Sequence, residues 1–240
     1  MKVLLTRPLE ESRALAARLE ADGIETLIWP LTRIVPLVTE LKLPFNIDAI
    51  LFTSANGVRA LAALTDRRDW PALCVGDATA RAARQAGYLN CFSAGGDARA
   101  LADLARRSGL RNFLHPRGRD AAGDLKGWLA ETGQHVAELI LYEARETGAP
   151  PAPVASALAR GEVDLVTVWS PRNGEILARH LAGLDADLGG TDALAISAAA
   201  RESLAEAGFR RVALADRPDL QAMVSAIQAH FSALRGESGE

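Results

Sequence analysis

The chain repeats itself. Asp48-Ala49-Ile50-Leu51-Phe52-Thr53-Ser54 returns as Asp164-Leu165-Val166-Thr167-Val168-Trp169-Ser170, an offset of 116 from Ser54 to Ser170. Ala72-Leu73-Cys74-Val75-Gly76 with Gly87 downstream returns as Ala193-Leu194-Ala195-Ile196-Ser197 with Gly208, both displaced by 121. A third block relates the opening strand, helix and strand to Phe113-Leu114-His115, a helix from Leu125 to Leu129, Gly133 and Val136 to Leu141. Here Gly23 and Gly133 give an offset of 110. Near-equal offsets over most of a chain mean that one ancestral half was used twice, and a repeat decides architecture before any single motif does. The 240 residues have room for two compact units of ordinary domain size.

The repeated element is a strand followed by a helix. Lys2-Val3-Leu4-Leu5 reads as a short buried strand; Thr6 as a capping side chain, Pro8, Glu10 and Glu11 then open a helix that runs to Gly23. Leu15 and Leu19 lie four apart on one helical face, and Ile24 to Trp29 resumes a strand. The rhythm continues with strands at Ala49 to Thr53, Ala72 to Val75 and Leu89 to Phe92, each followed by a turn and a helix. Alternation without hairpin signals predicts an α/β protein of two similar domains, with parallel sheets flanked by helices. Leu31 to Pro44 and Tyr142 to Pro153 read as linkers, and Gly236 to Glu240 as a frayed polar tail.

Composition narrows the function. Hydrophobic residues make up 49% and charged residues 24%, which excludes a disordered chain. With 27 Lys+Arg against 30 Asp+Glu there is no basic field to wrap a nucleic-acid backbone, so anion binding has to be local. Met1 to Leu5 is too short an apolar start for a signal peptide, and no stretch reaches the roughly 20 apolar residues of a membrane-spanning helix, so a cytoplasmic protein with no membrane partner is expected. Cys74 and Cys91 sit in apolar settings and read as buried thiols. Nucleophile elbow, Walker loop, GxGxxG turn and zinc spacing are all missing, and the four histidines are scattered and read as solvated or satisfied side chains.

What recurs is a small or hydroxyl residue at the carboxyl end of a strand, just before a helix: Thr6, Thr53-Ser54, Gly76 to Thr79, Ser170 and Ser197. In open parallel sheets ligands collect beyond these strand ends, where helix N-terminal amides favour negative charge; the competing reading is that Ser and Thr merely cap the helices. Cations stand beside the same turns: Arg7, Arg117 and Arg119 in Pro116-Arg117-Gly118-Arg119, and Arg172 after Ser170-Pro171. Guanidinium groups pair bidentately with carboxylates and phosphates.

Taken in order, Leu4-Leu5-Thr6-Arg7-Pro8, Leu51 to Val58, Val75-Gly76-Asp77-Ala78-Thr79-Ala80 with Gly87, Arg117-Gly118-Arg119, Leu141-Tyr142-Glu143 and Trp169-Ser170-Pro171 resemble the uroporphyrinogen-III synthase family. The resemblance implies two flavodoxin-like, HemD-like α/β domains joined by a two-stranded connector, with substrate in the cleft between them. It places a discontinuous first domain at 1–32 with 146–240, a second at 39–138, and connector strands at 33–38 and 139–145. A monomer is expected.

The family's reaction, a hydro-lyase step in tetrapyrrole biosynthesis toward heme, siroheme and cobalamin, closes the linear hydroxymethylbilane. The substrate's hydroxyl leaves as water, an azafulvene forms, and a spiro-pyrrolenine fragments and recloses with ring D inverted. No cofactor is implied, because the pyrroles supply their own electron push, and the preceding pathway enzyme is an expected transient contact. By resemblance Tyr142 assists departure of the hydroxyl, Thr79 contacts a substrate carboxylate, and Ser54 and Ser170 are further polar ligands. Thr6, Arg7, Gly76, Arg117, Arg119, Arg172 and Ser197 complete the candidate set. The chain departs from the family at Ala200, in Ser197-Ala198-Ala199-Ala200-Arg201, where a hydroxyl residue is usual. Two other functions compete: a non-catalytic two-lobed binding protein for a small anionic metabolite, and a receiver module, which lacks its acidic pair because Leu5 leads to Thr6-Arg7-Pro8.

Overall fold

A computed structural model describes residues 1–43, 46–120 and 123–237. The chain runs β1 (Lys2–Leu5), α1 (Leu9–Ala21), β2 (Glu25–Ile28), β3 (Thr32–Pro36), β4 (Ala49–Phe52), α2 (Ala55–Ala62), β5 (Ala72–Cys74), α3 (Asp77–Gln85), β6 (Cys91–Ser93) and α4 (Ala98–Arg107). It continues with β7 (Asn112–Gly118), α5 (Leu125–Ala130), β8 (His135–Glu146), α6 (Ala152–Ala159), β9 (Leu165–Val168), α7 (Pro171–Leu181), β10 (Asp192–Ala195), α8 (Ala198–Glu202), β11 (Arg211–Leu214) and α9 (Leu220–Glu237). Two compact units result: unit 1 joins Met1–Arg33 to the chain from Arg145 onward, and unit 2 is Ile34–Ala144. Among the described residues no helix is long and apolar enough to cross a membrane.

Unit 1 holds a five-stranded sheet in the order β11-β10-β9-β1-β2, and unit 2 is built on a six-stranded sheet in the order β3-β8-β7-β4-β5-β6. All pairings from β8 to β6 and from β2 to β11 are parallel. Parallel strands are covered on both faces, so their side chains alternate between two cores. In unit 1 Leu4, Val166 and Val168 pack with α6, α7 and α8, while Val3, Leu5 and Leu165 pack with α1 and α9. In unit 2 Ile50, Phe52 and Leu114 pack with α2 and α3, and Ala49, Leu51 and Phe113 with α4 and α5.

The sequence offsets map onto equal places in the two sheets. Val3 stands opposite Leu165 and Thr26 in unit 1, as Phe113 stands opposite Ala49 and Val136 in unit 2. Val168 faces Ala195 as Phe52 faces Cys74. The matched glycines Gly23 and Gly133 follow α1 and α5 with φ of 75° and 73°, a backbone state that glycine adopts at little cost.

Several expectations need correction. Thr6 does not cap α1, whose N-cap is Pro8 without a side-chain bond. Instead the Thr6 hydroxyl is fully buried and lies 2.6 Å from the Thr167 carbonyl and 2.8 Å from Asn173 Oδ1, which share its one proton. The first linker contains β3, and the second contains the end of β8 and the start of α6; Pro44 lies outside the described residues. Leu37 N donates to Leu141 O and Thr147 N to Leu31 O, so β3 runs antiparallel to β8, an exception to the parallel rule. The sixth strand is displaced to Cys91–Ser93, and α9 runs to Glu237, which removes Gly236 and Glu237 from the supposed tail; residues 238–240 lie outside the described residues. Cys74 is buried, and burial pushes its thiol up to about 12, but Cys91 is only half-buried.

Asn173 is the polar hub of unit 1. Its amide nitrogen donates to Thr6 O, while its Oδ1 receives the Trp169 N–H as well as facing the Thr6 hydroxyl. Because Asn173 is 7% exposed, Asn173→Ala removes three contacts from a buried site, taking the Oδ1 acceptor from Trp169 N–H while Thr6 keeps the Leu31 N–H and the Thr167 carbonyl, and is expected to cost about 1–3 kcal/mol. Urea unfolding of the variant checks this, and unchanged stability would refute the hub.

Candidate functional site

In unit 2 a cavity of about 330 Å³ opens at the carboxyl ends of β4, β5 and β7, beside Tyr142 and Ala144 of β8. Thr53, Ser54, Val75, Gly118, Arg119 and Tyr142 contribute to its lining. Ser54 caps α2: its Oγ accepts the Gly57 N–H at 3.1 Å. The same oxygen lies 2.8 Å from the Tyr142 hydroxyl. A serine oxygen has one proton and two lone pairs, so the cap leaves one proton and one lone pair to orient the phenol.

Gly118 makes room for the tyrosine. A register shift between Arg117 and Gly118 sets Gly118 opposite Tyr142 on β8, and a Cβ at Gly118 would sit 2.8 Å from the phenol ring. Arg119 N donates to Tyr142 O at 2.9 Å, and the Arg119 guanidinium, 60% exposed, pairs with Glu143 at 3.0 Å. Arg117 turns to Glu138, with Nη1 to Oε1 at 2.7 Å, so of the two arginines in this turn only Arg119 lines the cavity.

Behind Thr53 lies one of the four scattered histidines, on β7. His115 is 1% exposed, and its Nε2 is 3.2 Å from Thr53 Oγ1. Its Nδ1 has no hydrogen-bond partner among the described residues and faces Glu138 Oε1 at 3.6 Å. Burial holds this imidazole down at about 4, outweighing the nearby carboxylate. His115 is therefore neither solvated nor satisfied, which corrects the expectation for it.

Gly76 and Thr79 stand beside the cavity and not in its lining. Gly76 is the N-cap of α3 and provides no side-chain bond to the first turn, while Thr79 within that turn is 5% exposed. The remaining candidates belong to unit 1, at the ends of β1, β9 and β10. Ser170 Oγ accepts Asn173 N–H at 3.1 Å and Ser197 Oγ accepts Ala200 N–H at 3.3 Å, so both cap helices, as the competing reading has it. Arg7 pairs with Glu11 at 2.8 Å and lies 4.4 Å over the Trp169 ring. Arg172 is exposed in the first turn of α7. The departure at Ala200 acquires a local meaning: α3 carries glycine at its N-cap and a threonine three residues on, whereas α8 carries serine at its N-cap and alanine three residues on. Each helix start keeps one hydroxyl, moved by one turn. Among the described residues no group of three or more His, Cys, Asp or Glu side chains is placed to hold a metal ion.

No curated protein sequence matches the chain significantly. Among solved structures, uroporphyrinogen-III synthetase of Helicobacter pylori matches with a TM-score of 0.63 at 17% identity, over 95% of this chain and 98% of that one. A mutant uroporphyrinogen III synthase of the extreme thermophile Thermus thermophilus aligns over 97% of this chain and 99% of that one at 20% identity, with a TM-score of 0.49. The model of the family described as uroporphyrinogen-III synthase HemD matches residues 13–225. With nearly the whole chain covered, the protein belongs to the uroporphyrinogen-III synthase HemD family.

Proposed function

We propose that the unit 2 cavity is where the chain carries out its family's reaction, the closure of hydroxymethylbilane to uroporphyrinogen III, and that Tyr142 supplies the proton with which the substrate's hydroxyl leaves. The observation that carries this is the 2.8 Å contact between Ser54 Oγ and the Tyr142 hydroxyl at the cavity wall. A phenol O–H can act as a proton donor, and Tyr142 is part of the cavity lining. The Ser54 hydroxyl, 2.8 Å from the phenol oxygen, orients it at the cavity wall. The carbon–oxygen bond of the hydroxymethyl group then breaks with water as leaving group, and the pyrrole nitrogen's electron pair fills the vacancy.

At about 330 Å³ the cavity is at the small end of ligand sites, matching one substituted pyrrole ring and not four. Arg119 at the cavity wall offers its guanidinium to carboxylate side chains, whereas Gly76 at the N-cap of α3 and the buried Thr79 in its first turn lie outside the lining. Arg117 acts from outside the cavity through Glu138. In unit 1 Arg7, Arg172, Ser170 and Ser197 lie at the ends of β1, β9 and β10, the strands that the repeat matches to those of the cavity, with Thr6 in the buried scaffold behind them. Segments 33–38 and 139–145 serve as the covalent connectors of the two units. Cytoplasmic residence, with the bilane passed on from the enzyme that makes it, suits a substrate that closes spontaneously to the wrong isomer.

The test is a product assay. Purified protein given fresh hydroxymethylbilane is expected to yield chiefly the inverted isomer, read by chromatography of the oxidised porphyrins. Production of the non-inverted isomer alone would overturn the activity.

A further inference from the structure

The duplication allows each polar residue of unit 2 to be compared with the residue that the same fold position holds in unit 1. His115 and Glu138 are partners across β7 and β8; at the matching places across β1 and β2 stand Leu5 and Ile28. Thr53 follows β4 as Trp169 follows β9, at the offset of 116 shared by their neighbours Ser54 and Ser170. The polar line Glu138–His115–Thr53 is thus an apolar line Ile28–Leu5–Trp169 in the sister unit, where Leu5 is fully buried and the other two pack against its cluster. The fold does not need polar groups there. A buried imidazole with an unpartnered nitrogen costs stability, and unit 2 carries that cost in line with its cavity.

Carboxylate, imidazole and hydroxyl in this order also make up a hydrolytic triad. That role fails on chemistry: a general base has to take a proton near neutral pH, and this histidine is held far below that by burial. What it does well is stay neutral and fix one hydrogen bond. The Glu138 carboxylate, itself held by Arg117, faces Nδ1 and draws the imidazole proton to that side. Nε2 is then an acceptor, and the Thr53 hydroxyl spends its proton on it.

We propose that His115 is a positioning residue that commits the Thr53 proton inward, so that Thr53 turns an oxygen lone pair into the cavity and accepts a ring N–H of the substrate. This rests on the reading that the bilane binds in the unit 2 cavity. An acceptor at this point selects a pyrrole N–H over a carboxylate, so Thr53 orients the ring itself while Arg119 takes an acidic side chain.

The test uses the full chain and steady-state kinetics with hydroxymethylbilane. His115→Leu introduces the residue that unit 1 tolerates at this place, and Thr53→Val removes the hydroxyl with little change of shape. Each is expected to lower kcat/KM about 10-fold, mostly through KM, and the double variant no further than either single one. His115→Gln, whose amide reaches the Nε2 position, is expected to recover kcat/KM to within about threefold of the parent. Additive losses, an impaired His115→Gln equal to His115→Leu, or unchanged kcat/KM in Thr53→Val would each overturn the proposal, the last even if His115→Leu fails to fold. Tyr142→Phe separates the two readings. A loss there with normal Thr53→Val and His115→Leu rejects only the histidine's role, whereas normal kinetics in all three reject the cavity as the site.

Discussion

Tyr142→Phe is expected to lower turnover about 100-fold and to shift the product toward the non-inverted isomer, while the protein keeps its fold. The size follows from the role: proton donation by a placed side chain contributes on the order of 100-fold or more, which corresponds to about 2.7 kcal/mol of barrier. The fold survives because the change deletes one oxygen at the cavity wall. Ser54 keeps the Gly57 N–H as a partner, and the loss of one neutral hydrogen bond costs about 1 kcal/mol. The isomer ratio is the sharper readout. Free bilane goes on closing by itself, so an enzyme slowed at the departure of the hydroxyl loses the race to the solution reaction and the wrong isomer accumulates. Isomer analysis beside a thermal melt reads both effects. Full turnover with an unchanged ratio would leave Tyr142 as a packing residue of β8.

The architecture was legible because its signals are local and repeated. Apolar runs such as Ala49–Phe52 and Leu165–Val168 are what a strand covered on both faces requires, and Gly23 and Gly133 mark helix ends that only a residue free to take positive φ closes cheaply. The connectors were less legible. β3 ends on Pro36 and β8 on exposed polar residues, so both read as linkers although they form a ladder. Within the candidate site, serines at strand ends were easy to find, but their capping bonds and their distance from a tyrosine 88 positions on belong to tertiary structure. His115 was missed for another reason. Inside an apolar strand a lone histidine has no neighbour in sequence that explains it, since Glu138 and Thr53 reach it from β8 and β4. A signal was nevertheless present: three polar residues standing where the repeat has Leu5, Ile28 and Trp169 is a coordinated change, and it shows once the offsets are applied residue by residue.

Gly57→Ala is expected to destabilise unit 2 and to impair catalysis together, by about 1–3 kcal/mol and on the order of 10-fold. Two effects oppose each other at this position. Alanine favours a helix over glycine by about 1 kcal/mol, and Gly57 lies inside α2. Against this, its Cβ would stand 2.7 Å from the Pro116 carbonyl oxygen, closer than packed atoms tolerate. That oxygen belongs to β7, where Pro116 is held in register with Leu139, so the strand cannot yield and the helix has to move. The clash therefore outweighs the propensity gain. Moving α2 also displaces its cap, and with it the Ser54 oxygen that receives the Gly57 N–H and faces Tyr142 at 2.8 Å. Unit 1 meets the same crossing differently: at the offset of 116 stands Asn173, whose side chain bridges the interval and bonds to Thr6 O, the counterpart of Pro116 O. The close approach in unit 2 is thus specific to the unit that carries the cavity, which is why a single methyl group there should reach the chemistry. Urea unfolding and the isomer assay on one preparation of Gly57→Ala check both halves, and a variant with raised stability and full turnover would show that the helix, not the strand, sets the spacing.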